Sequence, residues 1–158
     1  HAKVTDGYIE LKRDWKTGDT IELSLPMSVR RVYAHPKVEA NQGRVALMRG
    51  PIVYCIEATD HNGAIQNVAL PPRSSLSTQY RDDLLDGIMV VTGEAIAREQ
   101  ESNWDEALFH DSDKTLNAKS IDLIAVPYYA NRNRELGQME VWIPEDAGMT
   151  IPTNLPFR

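Results

Sequence analysis

The side chains able to do chemistry in this 158-residue chain begin with Cys55, its one cysteine. A thiol attacks or ligates as the thiolate, which needs an exposed, electropositive setting. Cys55 lies instead within the apolar run Ile52-Val-Tyr-Cys-Ile56, where a free cysteine behaves as a small, inert hydrophobe. A lone cysteine also excludes an internal disulfide and any multi-cysteine metal site within the chain. The acidic stretch Asp105-Glu106, His110-Asp-Ser-Asp113 and Asn117 is the next candidate. Asp111, Asp113, Thr115 and Asp122 are spaced loosely like a calcium loop, but Leu116 stands at the turn position that calls for glycine. A solvated acidic loop without a metal is expected.

His35 and His61 each adjoin turn residues, and neither has a second histidine at ligand spacing. Asp60-His61 lacks a serine or cysteine neighbour that would form a nucleophile–base pair. Both histidines read as loop residues held by hydrogen bonds. Glycoside hydrolysis needs two carboxyls roughly 5–9.5 Å apart. Glu57, Asp60, Glu99 and Glu101 are the carboxylates to consider, and nothing in their spacing brings two of them to one cleft. No catalytic residue is assigned. The aromatic candidates are Trp104, Tyr128, Tyr129 and Trp142. Exposed rings stack on sugars, with amide and guanidinium groups as hydrogen-bonding partners. Tyr128, Tyr129, Asn131 and Arg132, just after Pro127 at a strand end, form the candidate carbohydrate-binding set. Trp142 falls within a strand and reads as core.

The elements that must position these groups are organised around residues 43–57. Val45 and Leu47 alternate with Ala46 and Met48, which predicts a strand. Gly50-Pro51 interrupts it, and the β-branched run 52–56 predicts a second, buried strand. Residues 8–25 alternate on both sides of Lys16-Thr-Gly-Asp19 and predict a hairpin, with Ile9, Leu11, Ile21, Leu23 and Leu25 on one face. Weaker strands are expected over 28–33 and 65–70. Residues 88–97 read as a strand with Gly93 as a bulge. Residues 120–127 and 139–143 complete the set, while 73–84 carry no clear pattern and 99–119 read as a long loop. No segment sustains helical periodicity over ten residues. An all-β fold is expected: an antiparallel β-sandwich, jelly-roll-like, of about nine short strands.

The formal net charge of −6 disfavours nucleic acid, which needs clustered Lys and Arg. No stretch approaches the roughly 20 apolar residues of a membrane span. The opening residues are polar, show no leader pattern and read as text from within a domain.

Several short pieces, in order along the chain, carry a family resemblance. They are Gly7-Tyr8, Arg13-Asp-Trp15, Gly18-Asp19, Leu25-Pro-Met27, Gly43-Arg-Val-Ala46, Arg49-Gly-Pro51, Val53-Tyr-Cys-Ile-Glu57, Pro127-Tyr128-Tyr129, Asn131-Arg132 and Val141-Trp142-Ile143. Together they resemble the C-terminal part of the glycoside hydrolase family 127 proteins, the β-L-arabinofuranosidase-like enzymes once classed as a domain of unknown function. The family has a Trp-containing step between the Tyr-Tyr pair and Asn-Arg, reduced here to Tyr129-Ala-Asn-Arg132.

The resemblance implies that an (α/α)6 barrel, outside this chain, carries the chemistry. There a cysteine nucleophile sits in a zinc site of three cysteines and a glutamate. It also implies three parts in this chain: residues 1–27, the terminal hairpin of a middle β-sandwich; 28–144, a C-terminal β-sandwich; and 145–158, an irregular tail. The implied role is non-catalytic and structural, with the barrel domain of the parent enzyme as partner and dimerisation through a second copy as a further role. The alternative is a carbohydrate-binding module that uses the 128–132 loop to hold a glycan. No cofactor is expected. The resemblance implies a bacterial protein of the cytoplasm or periplasm, while the residues themselves leave the compartment open.

Overall fold

A computed structural model describes residues 4–98 and 118–145. The acidic stretch 105–117, Trp104, Glu99 and Glu101 lie outside the described residues, as does the tail beyond Glu145; of the calcium-like spacing only Asp122 is described, in β9 opposite Glu94. The strands are β1 (Val4–Thr5), β2 (Tyr8–Ile9), β3 (Val29–Val32), β4 (Arg44–Arg49), β5 (Ile52–Glu57), β6 (Val68–Ala69), β7 (Leu76–Arg81), β8 (Ile88–Arg98), β9 (Ala118–Pro127), β10 (Met139–Glu140) and β11 (Ile143–Pro144). Among the described residues the only helical pieces are single 3-10 turns at Glu39–Asn41, Ala58–Asp60 and Tyr128–Ala130. No helix there is long and apolar enough to cross a membrane.

The expected central pair is the β4–β5 hairpin, with Arg49 facing Ile52 across Gly50-Pro51. β5 pairs β9, and β9 pairs β8 along most of its length. β7 and β6 both flank β8, and β3 flanks β4. β4 and β5 pair only near their turn; beyond it β10 takes the edge of β5 and β11 the edge of β4. Every pairing is antiparallel. The sheet curls until its ends meet. The Leu70 N–H, just past β6, donates to the Pro144 carbonyl of β11 at 2.7 Å. Arg31 of β3 reaches across to the carbonyls of Pro71 and Ser74 at 2.9 and 3.1 Å.

Side chains on a strand alternate between faces, and this alternation sorts the core in two. Inside the curl lie Val45, Leu47, Tyr54, Ile56, Leu70, Val91, Leu123, Ala125 and Ile143. On the opposite face Cys55, Ile88, Val90 and Val126 form a smaller cluster, covered by Leu84, Leu85, Met139 and Val141. The all-β, antiparallel expectation therefore holds.

Several expectations change in detail. Residues 73–84 contain β7, whose central Ser77-Thr-Gln-Tyr80 run is exposed on both faces and carries no apolar period to read. Residues 139–143 do not run as one strand, because Val141-Trp142 steps from the edge of β5 to that of β4. Gly93 is not a bulge: it pairs in register with both Leu76 and Leu123. A Cβ there would come within 2.8 Å of the Ser75 carbonyl oxygen, so the glycine admits a close approach by β7.

The hairpin expected over residues 8–25 does not form. Only the short β1–β2 ladder is regular, and residues 10–28 hold no strand. The turn is present: Asp19 N–H donates to the Lys16 carbonyl at 3.0 Å, and Lys16 N–H to Asp19 Oδ2 at 2.9 Å. Yet Ile9, Leu11, Ile21, Leu23 and Leu25 are all exposed. A two-stranded ribbon with no layer over its apolar face is marginal in water, so alternation alone does not hold it.

Candidate functional site

The densest polar arrangement lies where β5 ends and the loop after β9 returns to it. β5 delivers Glu57 to the sheet margin, and the 3-10 turn behind it delivers Asp60. β9 stops at Pro127, the Tyr128–Ala130 turn reverses the chain, and residues 131–138 run back toward β10. Arg134 fastens this loop. Its Nη1 donates to Asp60 Oδ1 at 2.6 Å, and its Nη2 donates to Asp60 Oδ2 and to Glu57 Oε2, each at 2.5 Å. The Arg132 N–H donates to the remaining Glu57 oxygen at 2.9 Å. Arg132 holds a left-handed φ of 63° to do so. Hydrogen bonding to Asp60 raises the Arg134 pKa; burial opposes this, and Glu57 adds to the rise.

Glu57 and His61 are the buried polar residues of the described chain, at 5% and 6% exposure. His61 Nδ1 lies 2.8 Å from the Glu57 carbonyl oxygen, and the Ile124 N–H donates to Nε2 at 3.4 Å. A neutral imidazole protonated at Nδ1 satisfies both contacts. His61 thus joins the turn to β9, as a hydrogen-bonded loop histidine should. An open cleft of about 510 Å³ adjoins it, lined by Asp60, Asn62, Asn67, Ile121 and Asp122 among others. His35 is exposed and accepts the Lys37 N–H at 3.1 Å.

The sugar-contact candidates lie on the Tyr128–Ala130 turn and the two residues after it. Tyr128 and Tyr129 are exposed. The Arg132 side chain is also exposed, but the Asn131 Oδ1 is buried without a hydrogen-bond partner among the described residues. Trp142, expected as core, is half-buried, and its carbonyl accepts Arg44 Nη1 at 2.8 Å. The carboxylates Glu57 and Asp60 both grip Arg134 rather than facing one another across a cleft. This clamp had no sequence signal. Its members stand 74 to 77 residues apart, and Arg132-Asn-Arg134 reads as a plain basic spot.

Cys55 is fully buried. Burial pushes its thiol up to about 12, with the Glu57 charge adding to the effect. Among the described residues no group of three or more His, Cys, Asp and Glu could hold a metal. The residues present do not fit the zinc site that the resemblance places in the barrel. In native buffer a thiol reagent is expected to label Cys55 only at the rate of unfolding; rapid labelling would show an accessible thiol. Because the folded pKa is raised above the ordinary value of about 8.5, the thiol's contribution to stability is complete below that pH. It is lost as pH rises toward about 12. Unfolding measured at pH 7.5 and 10.5 should show a larger decline in the wild type than in Cys55→Ala, which keeps only the loss from groups such as Tyr33 and Tyr54, whose pKa values are also raised.

A curled antiparallel sheet whose buried charges tie down its own loops defines a β-sandwich-like module. The module has a family. The glycoside hydrolase family 127 C-terminal domain matches residues 29–144, and the GH127 middle domain of β-L-arabinofuranosidase matches residues 1–27. The chain belongs to glycoside hydrolase family 127. A non-reducing end β-L-arabinofuranosidase of Bifidobacterium longum subsp. longum is 37% identical over 146 residues, covering 89% of this chain and 22% of that protein. A GH127 β-arabinofuranosidase of known structure superposes with a TM-score of 0.81 at 38% identity, over 96% of this chain and 22% of the other. The GH127 β-L-arabinofuranosidase of Geobacillus stearothermophilus T6 gives 0.68 at 42% identity, over 77% and 19%. The chain thus spans about a fifth of the length of these relatives and corresponds to their C-terminal part.

Proposed function

We propose that this chain is the non-catalytic C-terminal portion of a β-L-arabinofuranosidase-like hydrolase, with residues 28–144 as an accessory sandwich that supports a catalytic domain elsewhere in the parent protein. The observation that carries this reading is the match to the family's C-terminal domain over a chain that spans only 22% of its curated relative. The local chemistry agrees. Cys55 is a buried thiol, and the two best-placed carboxylates are bound by Arg134. Residues 1–27 are read as the end of the preceding middle domain, whose remaining strands would cover Ile9, Leu11, Ile21, Leu23 and Leu25. This reading is preferred over a second copy of the chain as the cover because the middle-domain match ends at residue 27. A glycan held by Tyr128, Tyr129, Asn131 and Arg132 is the weaker reading, since the buried Asn131 amide oxygen removes one of the set's hydrogen-bonding groups.

The test is turnover. The purified 158-residue chain is expected to release no product from an aryl β-L-arabinofuranoside. The full-length parent polypeptide is expected to do so. Activity of the short chain that disappears on Cys55→Ser would overturn the proposal.

A further inference from the structure

The two family segments meet at Ser28, between the matches ending at 27 and beginning at 29. On both sides of that point the chain grips the Gly50-Pro51 turn. The Gly50 N–H donates to the Ser28 carbonyl at 3.4 Å. Arg30 Nη2 donates to the Gly50 carbonyl at 3.0 Å. Met27 lies so close over the turn that a Cβ on Gly50 would come within 2.9 Å of its Cε and nearer still to its sulfur. Residues 4–26 are all exposed, and Met27 is the first of the described residues that is not. A thioether on an unbranched chain adapts well to an irregular seat of this kind.

We propose that Met27, the Ser28 carbonyl and Arg30, closed around Gly50, form a joint that fixes the direction in which residues 4–26 leave the sheet. On the reading of residues 1–27 as part of the preceding domain, on which this inference rests, the joint sets that domain's orientation against the C-terminal one. Domains joined by a single strand of chain move relative to one another unless an interface restrains them. Here two hydrogen bonds and a packed side chain restrain four consecutive residues, 27–30. The glycine is part of the device, since any side chain at position 50 would occupy the methionine's seat.

The test uses the 158-residue chain with spin labels at Leu25→Cys, next to the joint, and Thr78→Cys in a Cys55→Ala background. A narrow distance distribution is expected. It should widen at least twofold in Met27→Ala/Arg30→Ala, with the melting of the sheet unchanged, and stay narrow in Met27→Leu. A distribution that is broad from the outset, or equally narrow in the double variant, would overturn the joint. Deleting residues 1–26 probes the underlying reading separately. A retained melting transition supports residues 1–26 as part of another domain. A lost transition overturns that reading, whatever the labels report.

Discussion

Replacing Arg134 with methionine is expected to lower the stability of the chain by about 3–5 kcal/mol, as breaking a buried ion pair by removing one partner does. The side chains involved are 18% exposed for Arg134, 6% for Glu57 and 11% for Asp60, so solvent cannot take over the role of the guanidinium. The intact cluster is not itself a large net gain. Attraction between unit charges 4 Å apart is about 4 kcal/mol at the effective dielectric of such sites, and desolvation of all three groups offsets much of it. Methionine fills the volume of the arginine stem but leaves two carboxylates side by side with no cation. It also releases the 131–138 loop from β5. Urea unfolding at pH 7 measures the loss. The triple variant Arg134→Met/Glu57→Gln/Asp60→Asn is expected to recover most of it, because it removes the stranded charges as well. A loss below about 1 kcal/mol would mean the cluster behaves as an exposed surface pair.

The strands that sequence made legible are those whose side chains meet a core. β4, β5, β8 and β9 carry β-branched and apolar residues at the period their burial demands, and the Gly-Pro between β4 and β5 marks a turn that the fold uses. Cys55 was legible because it lies within a strand that is apolar on both faces, although the side chains it meets, Ile88, Val90 and Val126, come from other strands. Polar strands and long-range contacts were not. The middle of β7 is exposed on both faces and has little apolar content, so its strand character comes from pairing with β8. The Arg134 clamp joins residues more than seventy positions apart, and no local pattern announces it. The 8–25 stretch failed in the opposite sense. Its alternation is real, but the pattern describes a sheet face whose covering layer the described residues do not supply. The resemblance to family 127 supplied what periodicity could not, namely that the chain corresponds to one part of a larger enzyme.

Gly50→Val is expected to cost more than about 2 kcal/mol, because two demands on this position fall on the same residue. Gly50 holds a φ of 54° as the first central residue of a two-residue hairpin turn, the position at which such turns call for glycine. An L-residue placed in that region pays about 1–2 kcal/mol from the approach of Cβ to the backbone, and a β-branched one is a genuine outlier there. The second demand is the seat of Met27. Its side chain is flexible and can swing aside, so the steric share should be the smaller of the two. Asparagine separates them, since it visits the left-handed region more readily than other side-chain-bearing residues yet still displaces Met27. Gly50→Asn should therefore lose about 1 kcal/mol or less while freeing Met27 as Met27→Ala does. Thermal melts of both variants, compared with wild type and with Met27→Ala, decide the division. If Gly50→Val melts with the wild type, the turn has relaxed to a backbone that valine accepts, and β4 and β5 are then held in register by their core side chains rather than by the turn.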